Sequence, residues 1–240
     1  MEQRHLKLSQ LQTLEFILGL NMAIIRMIDK KGNILATSDS TAGSFRGICY
    51  LGQRYFAVIH SRNNTVYIIR VDFNRGTSLI LIKTLIVFGG HGLHTPYGIT
   101  FDGNYFYIVG TSTTIPTSGF LKKYSRDGKL IKSNQISGVA GDALNMRSVT
   151  FNGRYFYFTD ITSDKIWVLN HDGKVIKKFD APENKCQGIT YDGYNFWVAG
   201  TNNDSLYYVD YEGNTKDTIG GYAFNVKGIA TDGKHLYITQ

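Results

Sequence analysis

Cysteine and proline are nearly absent from this chain: two cysteines and three prolines in 240 residues. Two cysteines exclude the disulfide framework on which small secreted domains depend. Cys49 and Cys186 fall in the inner strands of repeats that are not neighbours, and read as small buried fillers. Glutamate is as scarce, with four copies, while glycine (26) and tyrosine (16) are plentiful. That balance disfavours helix and suits strands joined by tight turns. No run reaches the roughly 18 apolar residues of a membrane-spanning helix. The first residues carry scattered charges (Glu2, Arg4, Lys7, Glu15) and no small-residue cleavage pattern, which argues against a secretory leader.

What is present is a core-forming composition, 42% hydrophobic and 13% aromatic, with a net charge of +7. The cations are spread along the chain, many beside turns, as in a solvated rim; they do not form a nucleic-acid-binding stripe. Aligned on a turn glycine, five copies of one unit stand out: RGICYLGQRYFAVI, YGITFDGNYFYIVG, RSVTFNGRYFYFTD, QGITYDGYNFWVAG and KGIATDGKHLYITQ. Their glycines are Gly52, Gly103, Gly153, Gly193 and Gly233, spaced 51, 50, 40 and 40 residues apart, the period of propeller blades. Each reads as a hairpin, with Asp-Gly or Asn-Gly in four of the five turns.

A second hairpin type falls between the copies, with turns at Lys31-Gly32, Arg75-Gly76, Asp127-Gly128, Asp172-Gly173 and Glu212-Gly213. Two hairpins make a four-stranded blade. Four blades are continuous, at about residues 46–88, 97–133, 147–179 and 187–219, and the fifth is assembled from the two chain ends. Strands sandwiched between blades lose polar alternation, which accounts for apolar runs such as FDGNYFYIVG. The aromatic columns Tyr55, Phe106, Phe156, Phe196, Leu236 and Phe56, Tyr107, Tyr157, Trp197, Tyr237 are therefore read as core. The expected fold is all-β, a five-bladed propeller over residues 22–240. Residues 1–21 form an extension in which Ser9 and Gln12 resemble a capping box before Leu11, Leu14 and Leu18 of a short helix.

These repeats resemble β-propellers of the NHL and YVTN-like kind, whose termini share one blade. The resemblance implies a binding face formed by links between blades and by links between the second and third strands of a blade. Here those links include GGHGLHTP (89–96), TSTTIPTSG (111–119) and NQISGVAGDALN (134–145). The residues preceding the Gly-Ile pair or its equivalent are then expected at the mouth of the central channel: Arg46, Tyr97, Arg147, Gln187 and Lys227. Three are cationic and none is acidic. Such a ring either holds an anionic group through charge-assisted hydrogen bonds or forms a solvated rim.

The same ring lacks the paired carboxylates of propeller glycosidases. Asp160, with Asp164 nearby, is the acidic candidate at the end of a second strand. His91 and His94 sit in a Gly-rich loop that lacks the third ligand of a metal site. No phosphate loop, nucleophile elbow or zinc-cysteine pattern is present, and no cofactor is implied. The expectation is a non-enzymatic scaffold that assembles with other protein subunits, including a homo-oligomeric ring. A compositional resemblance to tail proteins of archaeal spindle-shaped viruses adds a virion subunit, and virion or cytoplasm as the location. Two alternatives stand beside it: a lectin-like glycan binder, and a propeller hydrolase or lyase.

Overall fold

The structure is a computed structural model describing residues 22–38, 41–42, 44–60, 65–72, 78–87, 94–112, 118–137, 144–220 and 225–240. The expected N-terminal extension and its helix lie outside the described residues, as do the Arg75-Gly76 turn and most of the three long mouth-face links. Four short strands come first: β1 (Met22–Ala23), β2 (Ile25–Ile28), β3 (Ile34–Thr37) and β4 (Thr41–Ala42). β1 and β4 pair as a separate two-stranded ribbon. Blade one is β5 (Phe45–Gly52), β6 (Tyr55–His60), β7 (Thr65–Asp72) and β8 (Ser78–Val87). Blade two is β9 (His94–Phe101), β10 (Phe106–Ser112), β11 (Ser118–Tyr124) and β12 (Leu130–Ser137). Blade three is β13 (Met146–Phe151), β14 (Phe156–Asp160), β15 (Lys165–Leu169) and β16 (Val175–Asp180). Blade four is β17 (Gly188–Tyr191), β18 (Phe196–Ala199), β19 (Leu206–Val209) and β20 (Thr215–Ile219).

The fifth blade joins the chain ends. Its order is β21 (Gly228–Thr231), β22 (Leu236–Thr239), β2, β3, and β22 pairs antiparallel with β2 from Ile25↔Thr239 to Ile28↔Leu236. The inner strands β5, β9, β13, β17 and β21 adjoin in sequence, and β21 returns to β5. This is the five-bladed ring expected from the repeat.

Each seam between blades holds its own hydrophobic cluster, so the core is five wedges. Consecutive aromatics point to opposite seams. Phe106 packs toward blade one and Tyr107 toward blade three; Phe196 packs toward blade three and Trp197 toward blade five. Burial on both sides follows from the period of two along a strand whose two faces are both covered.

The inner-hairpin turns show why the glycine recurs. Gly103 has φ +96°, while the preceding Asp102 uses Oδ1 to accept the amides of Asn104 and Tyr105 at 2.7 Å each. The Asp102 amide in turn donates to the Tyr105 carbonyl, closing the two-residue loop with glycine at its first central position. The acid anchors the loop, and the positive φ belongs to glycine alone. Asn152, Asp192 and Asp232 act alike. In blade one Leu51 replaces the acceptor, and Gln53 (φ 49°) and Arg54 (φ 67°) are drawn into the left-handed region as well.

The turn carboxylates also tie the ring together. Asp192 of blade four, fully buried, takes the Lys30 ammonium of blade five at 2.7 Å, joining positions 162 residues apart. Burial pushes the Asp192 carboxyl up, but the Lys30 ammonium and the amides of Asn195 and Tyr194 outweigh it and hold it below its ordinary value. Asp102 and Asp232 are depressed in the same manner, with Tyr107 and Tyr237 donating to them.

Two outcomes are expected. Deleting Lys227–Gln240 removes β21 and β22 and exposes the faces of two seams, so the truncated chain should lack a cooperative thermal transition by circular dichroism; an unchanged melt contradicts ring closure. A depressed carboxyl contributes stability that is complete above its unfolded value, about 4, and is lost as pH falls through the folded value. The melting temperature should therefore drop below about pH 4, less steeply in Asp192→Asn than in the parent; a flat profile in the parent would refute the linkage.

Candidate functional site

The mouth of the channel is built on irregularities in the inner strands. Along β9 and β10, Val109 faces Gly98 and Gly110 faces Pro96, leaving Tyr97 as an extra residue. Along β13 and β14, Thr159 faces Ser148 and Asp160 faces Met146, leaving Arg147 extra. The same shift separates Phe45↔His60 from Ile48↔Val58 and frees Arg46. A bulge of this kind re-aims a side chain that the pleat would otherwise send into a seam. In blades four and five the amides of Gln187 and Lys227 bond the carbonyls of Ala199 and Thr239, the same residues that Gly188 and Gly228 face.

Next to each extra residue stands a small one, which lets the blades converge. A Cβ on Gly47 would lie 2.5 Å from the Tyr97 carbonyl oxygen, and one on Gly98 would lie 2.6 Å from Ser148 Cα. Gly228 is held against the Arg46 carbonyl in the same way. Here glycine serves close backbone approach, with no need of positive φ.

Convergence brings three of the five expected residues together. Two guanidiniums approach the Tyr97 ring, with Arg46 Cζ 4.7 Å and Arg147 Cζ 4.1 Å from its centroid. Arg46 also donates from Nη1 to the Pro96 carbonyl at 3.3 Å. Burial lowers the pKa of the Arg46 guanidinium; Tyr97 opposes that shift and the Arg147 cation adds to it. Arg147 Nε is buried and has no hydrogen-bond partner. A buried donor without an acceptor is destabilising by about 1–3 kcal/mol, so it is a rare feature with a geometric meaning. Gln187 and Lys227 complete the ring of half-buried residues, but among the described residues neither side chain joins the Arg46–Tyr97–Arg147 cluster. The bulges were not visible in the sequence; the glycine that follows each mouth residue in four repeats was the available signal.

Below the mouth the axis holds a polar cavity of about 120 Å³, whose walls include Thr100, Thr150, Thr190 and Cys49. Thr150 Oγ1 accepts the Tyr191 amide at 3.0 Å, capping the free inner edge of the next blade. Cys49 lies on an inner strand, but Cys186 precedes β17 by two residues and donates its thiol to the Glu183 carbonyl. Both cysteines are free, and burial pushes both thiols up to about 12.

The acidic candidate has a structural role. Buried Asp160 accepts the amides of Asn145 (2.8 Å) and Thr162 (3.2 Å) and the Ser163 hydroxyl (2.6 Å), which commits both carboxylate oxygens. Asp164 likewise receives the Lys185 amide. His91 and the side chain of His94 lie outside the description, and no group of three potential metal ligands occurs among the described residues.

No family model matches the chain, and no curated protein matches it. Solved structures do. The glutaminyl cyclase of Myxococcus xanthus superposes with a TM-score of 0.63 at 13% identity, over 92% of this chain and 97% of that one. A protein of unknown function from Bacteroides caccae gives 0.52 at 6% identity, over 87% and 76%. A streptogramin B lyase gives 0.50 at 13% identity, over 90% and 66%. At these identities the likeness shows the propeller fold.

Two expectations are thereby corrected. The chain was read as a non-enzymatic scaffold or virion-tail subunit, yet propellers of this shape include a cyclase and a lyase. Neither the NHL assignment nor the viral resemblance gains support from these matches. The faulty step was chemical: lack of a carboxylate pair excludes one mechanism of glycoside cleavage, not catalysis on a scaffold that hosts many chemistries.

Replacing Gly98 with alanine places a methyl against the Ser148 backbone and should separate blades two and three at the mouth. A loss of about 1–3 kcal/mol is expected from overpacking, measured by urea unfolding. Gly103→Ala, where no neighbour lies within 4 Å but φ is +96°, should act through turn strain instead and leave the mouth intact. Equal stability of Gly98→Ala and the parent would refute the close approach.

Proposed function

We propose that this propeller is an enzyme of the lyase or cyclising type, acting at the channel mouth on a substrate with a carboxylate or an activated acyl group. The carrying observation is the pair of guanidiniums of Arg46 and Arg147, whose Cζ atoms lie 4.7 and 4.1 Å from the centroid of the same Tyr97 ring. Two fixed cations converging in a partly desolvated mouth are suited to an oxygen on which negative charge grows, whether an enolate during elimination or an oxyanion during ring closure. Arg46, tied to the Pro96 carbonyl, supplies orientation, and Arg147 supplies the second guanidinium. The Tyr97 phenol, beside both, is assigned proton transfer to or from the reacting group. Gln187 and Lys227 bound the far side of the ring and contact the remainder of the substrate.

Two further observations support this reading. The committed hydrogen bonds of Asp160 leave, among the described residues, no carboxylate pair at the mouth for double-displacement hydrolysis. A cyclase and a lyase of like fold show that such chemistry is physically available to a propeller.

The test has two arms. Glutaminyl peptides, read by ammonia release, and streptogramin B, read by chromatographic conversion, are incubated with the purified chain. Turnover that falls by about 100-fold or more in Arg147→Ala, with the fold retained, is the expected result for a lost charge-stabilising donor. In the second arm, pyroglutamate and glutamate are titrated by calorimetry. Affinity that is unchanged in both Arg46→Ala and Arg147→Ala would overturn the assignment of the mouth.

A further inference from the structure

A second site emerges when the repeats are compared with one another. In the outer-hairpin turns, the residue two before the glycine is Lys30 in blade five, Arg126 in blade two, His171 in blade three and Tyr211 in blade four. Its counterpart in blade one lies outside the described residues. In blade three His171 covers the inner-strand aromatics edge-on, 5.3 Å from Phe151 and 5.4 Å from Phe156. In blade four Tyr211 does the same, 5.2 Å from Phe196 and 6.2 Å from Tyr191. In blade five Lys30 crosses the seam to the Asp192 carboxylate. Each of these underside slots is thus closed from within, by an aromatic ring or by an ion pair.

Among the described residues, the slot between blades one and two is not closed. Arg126 bends back to the Gly103 carbonyl of its own blade, with Cζ 5.4 Å from the Phe101 centroid. Across the seam, the position that supplies Asp192 to Lys30 is occupied by Leu51. What remains is a cavity of about 380 Å³ walled by Leu51, Tyr55, Ile68, Leu85, Phe101 and Phe106, with Arg126 and Lys83 also in its lining. Its volume lies within the range of small-molecule sites, about 300–1,000 Å³. Neighbouring Asp127 turns to the Ser125 hydroxyl.

We infer that this cavity binds a small amphipathic anion, a monocarboxylic acid with an alkyl or aryl body. The ligand supplies what the chain supplies at the other seams: an apolar group over Phe101 and Phe106, as His171 and Tyr211 provide, and a carboxylate for the turn cation, as Asp192 provides for Lys30. Apolar burial contributes about 25 cal/mol per Å² of covered surface. The guanidinium adds a charge-assisted pair that selects acids over alcohols. The site lies on the face opposite the mouth and is independent of the proposed catalysis.

Calorimetric titration of the full chain with octanoate and naphthoate tests this, with octanol and naphthalenemethanol as neutral controls. The acids should bind, and the alcohols at least tenfold more weakly. Arg126→Gln should raise Kd at least tenfold. Leu51→Asp, which restores the carboxylate of the other repeats, should abolish binding without lowering the melting temperature. Arg147→Ala, at the mouth, should leave binding unchanged. Absence of binding by both acids at millimolar concentration, equal affinity for acid and alcohol, or parental affinity in both Arg126→Gln and Leu51→Asp would overturn the inference. If Leu51→Asp unfolds, Arg126→Gln alone decides.

Discussion

The antiparallel pairing of β2 with β22 is the contact on which the rest of this molecule depends. It brings Ile25 opposite Thr239 and Ile28 opposite Leu236, and so makes one blade from the two ends of the described chain. A four-stranded blade with both faces apolar has no stable exposure to water; each needs a neighbour on either side. An open array of four blades leaves two such faces bare, whereas closure converts them into the seams built around Phe56 with Tyr237 and Trp197 with Ile238. The Lys30–Asp192 pair secures one of these seams from the underside.

Closure also determines where chemistry is possible. Five inner strands meet around an axis only if their backbones approach closely, and the glycines at 47, 98, 188 and 228 permit that. In the first three blades a local mismatch between the inner strand and its partner throws one residue out of the pleat. These residues, Arg46, Tyr97 and Arg147, come from successive blades, and both guanidiniums lie within cation–π distance of the Tyr97 ring. Bringing two cations together is unfavourable in isolation. The Tyr97 ring beside both moderates it through its quadrupole.

Repetition makes departures informative. Among the described residues, a slot that recurs in four blades is closed by His171, by Tyr211 and by Lys30 with Asp192, and left open where Leu51 stands across from Arg126. The same reasoning applies to turn chemistry. Leu51 cannot accept amide hydrogens as Asp102 does, and its turn carries two additional residues at positive φ. One substitution in the repeat thus alters both a turn and a seam.

Much of the ring was legible in the amino-acid order, because hairpin turns and strand burial are local properties. A glycine at positive φ, an Asp or Asn that accepts the amides two and three residues on and a run of alternating seam-facing aromatics each leave a mark within a few residues, and their period counts the blades. The column holding Arg46, Tyr97, Arg147, Gln187 and Lys227 was legible for the same reason. What these residues do together was not. A bulge is defined by the residues opposite, Val109 and Gly110 for Tyr97, and the contacts on the Tyr97 ring by Arg46 and Arg147 of the blades to either side, so neither follows from the local sequence. Asp160 had the residue type of a catalytic acid, and only its three donors show it to be a loop anchor. The expectation of an inert scaffold was overturned by the likeness to propellers that include a cyclase and a lyase, which no local motif in the repeats announces. Sequence by itself determined the number of blades and their closure; tertiary packing decided which side chains meet across the blades, which donors remain unsatisfied and which seam stays open among the described residues, because those properties belong to pairs of blades rather than to any single repeat.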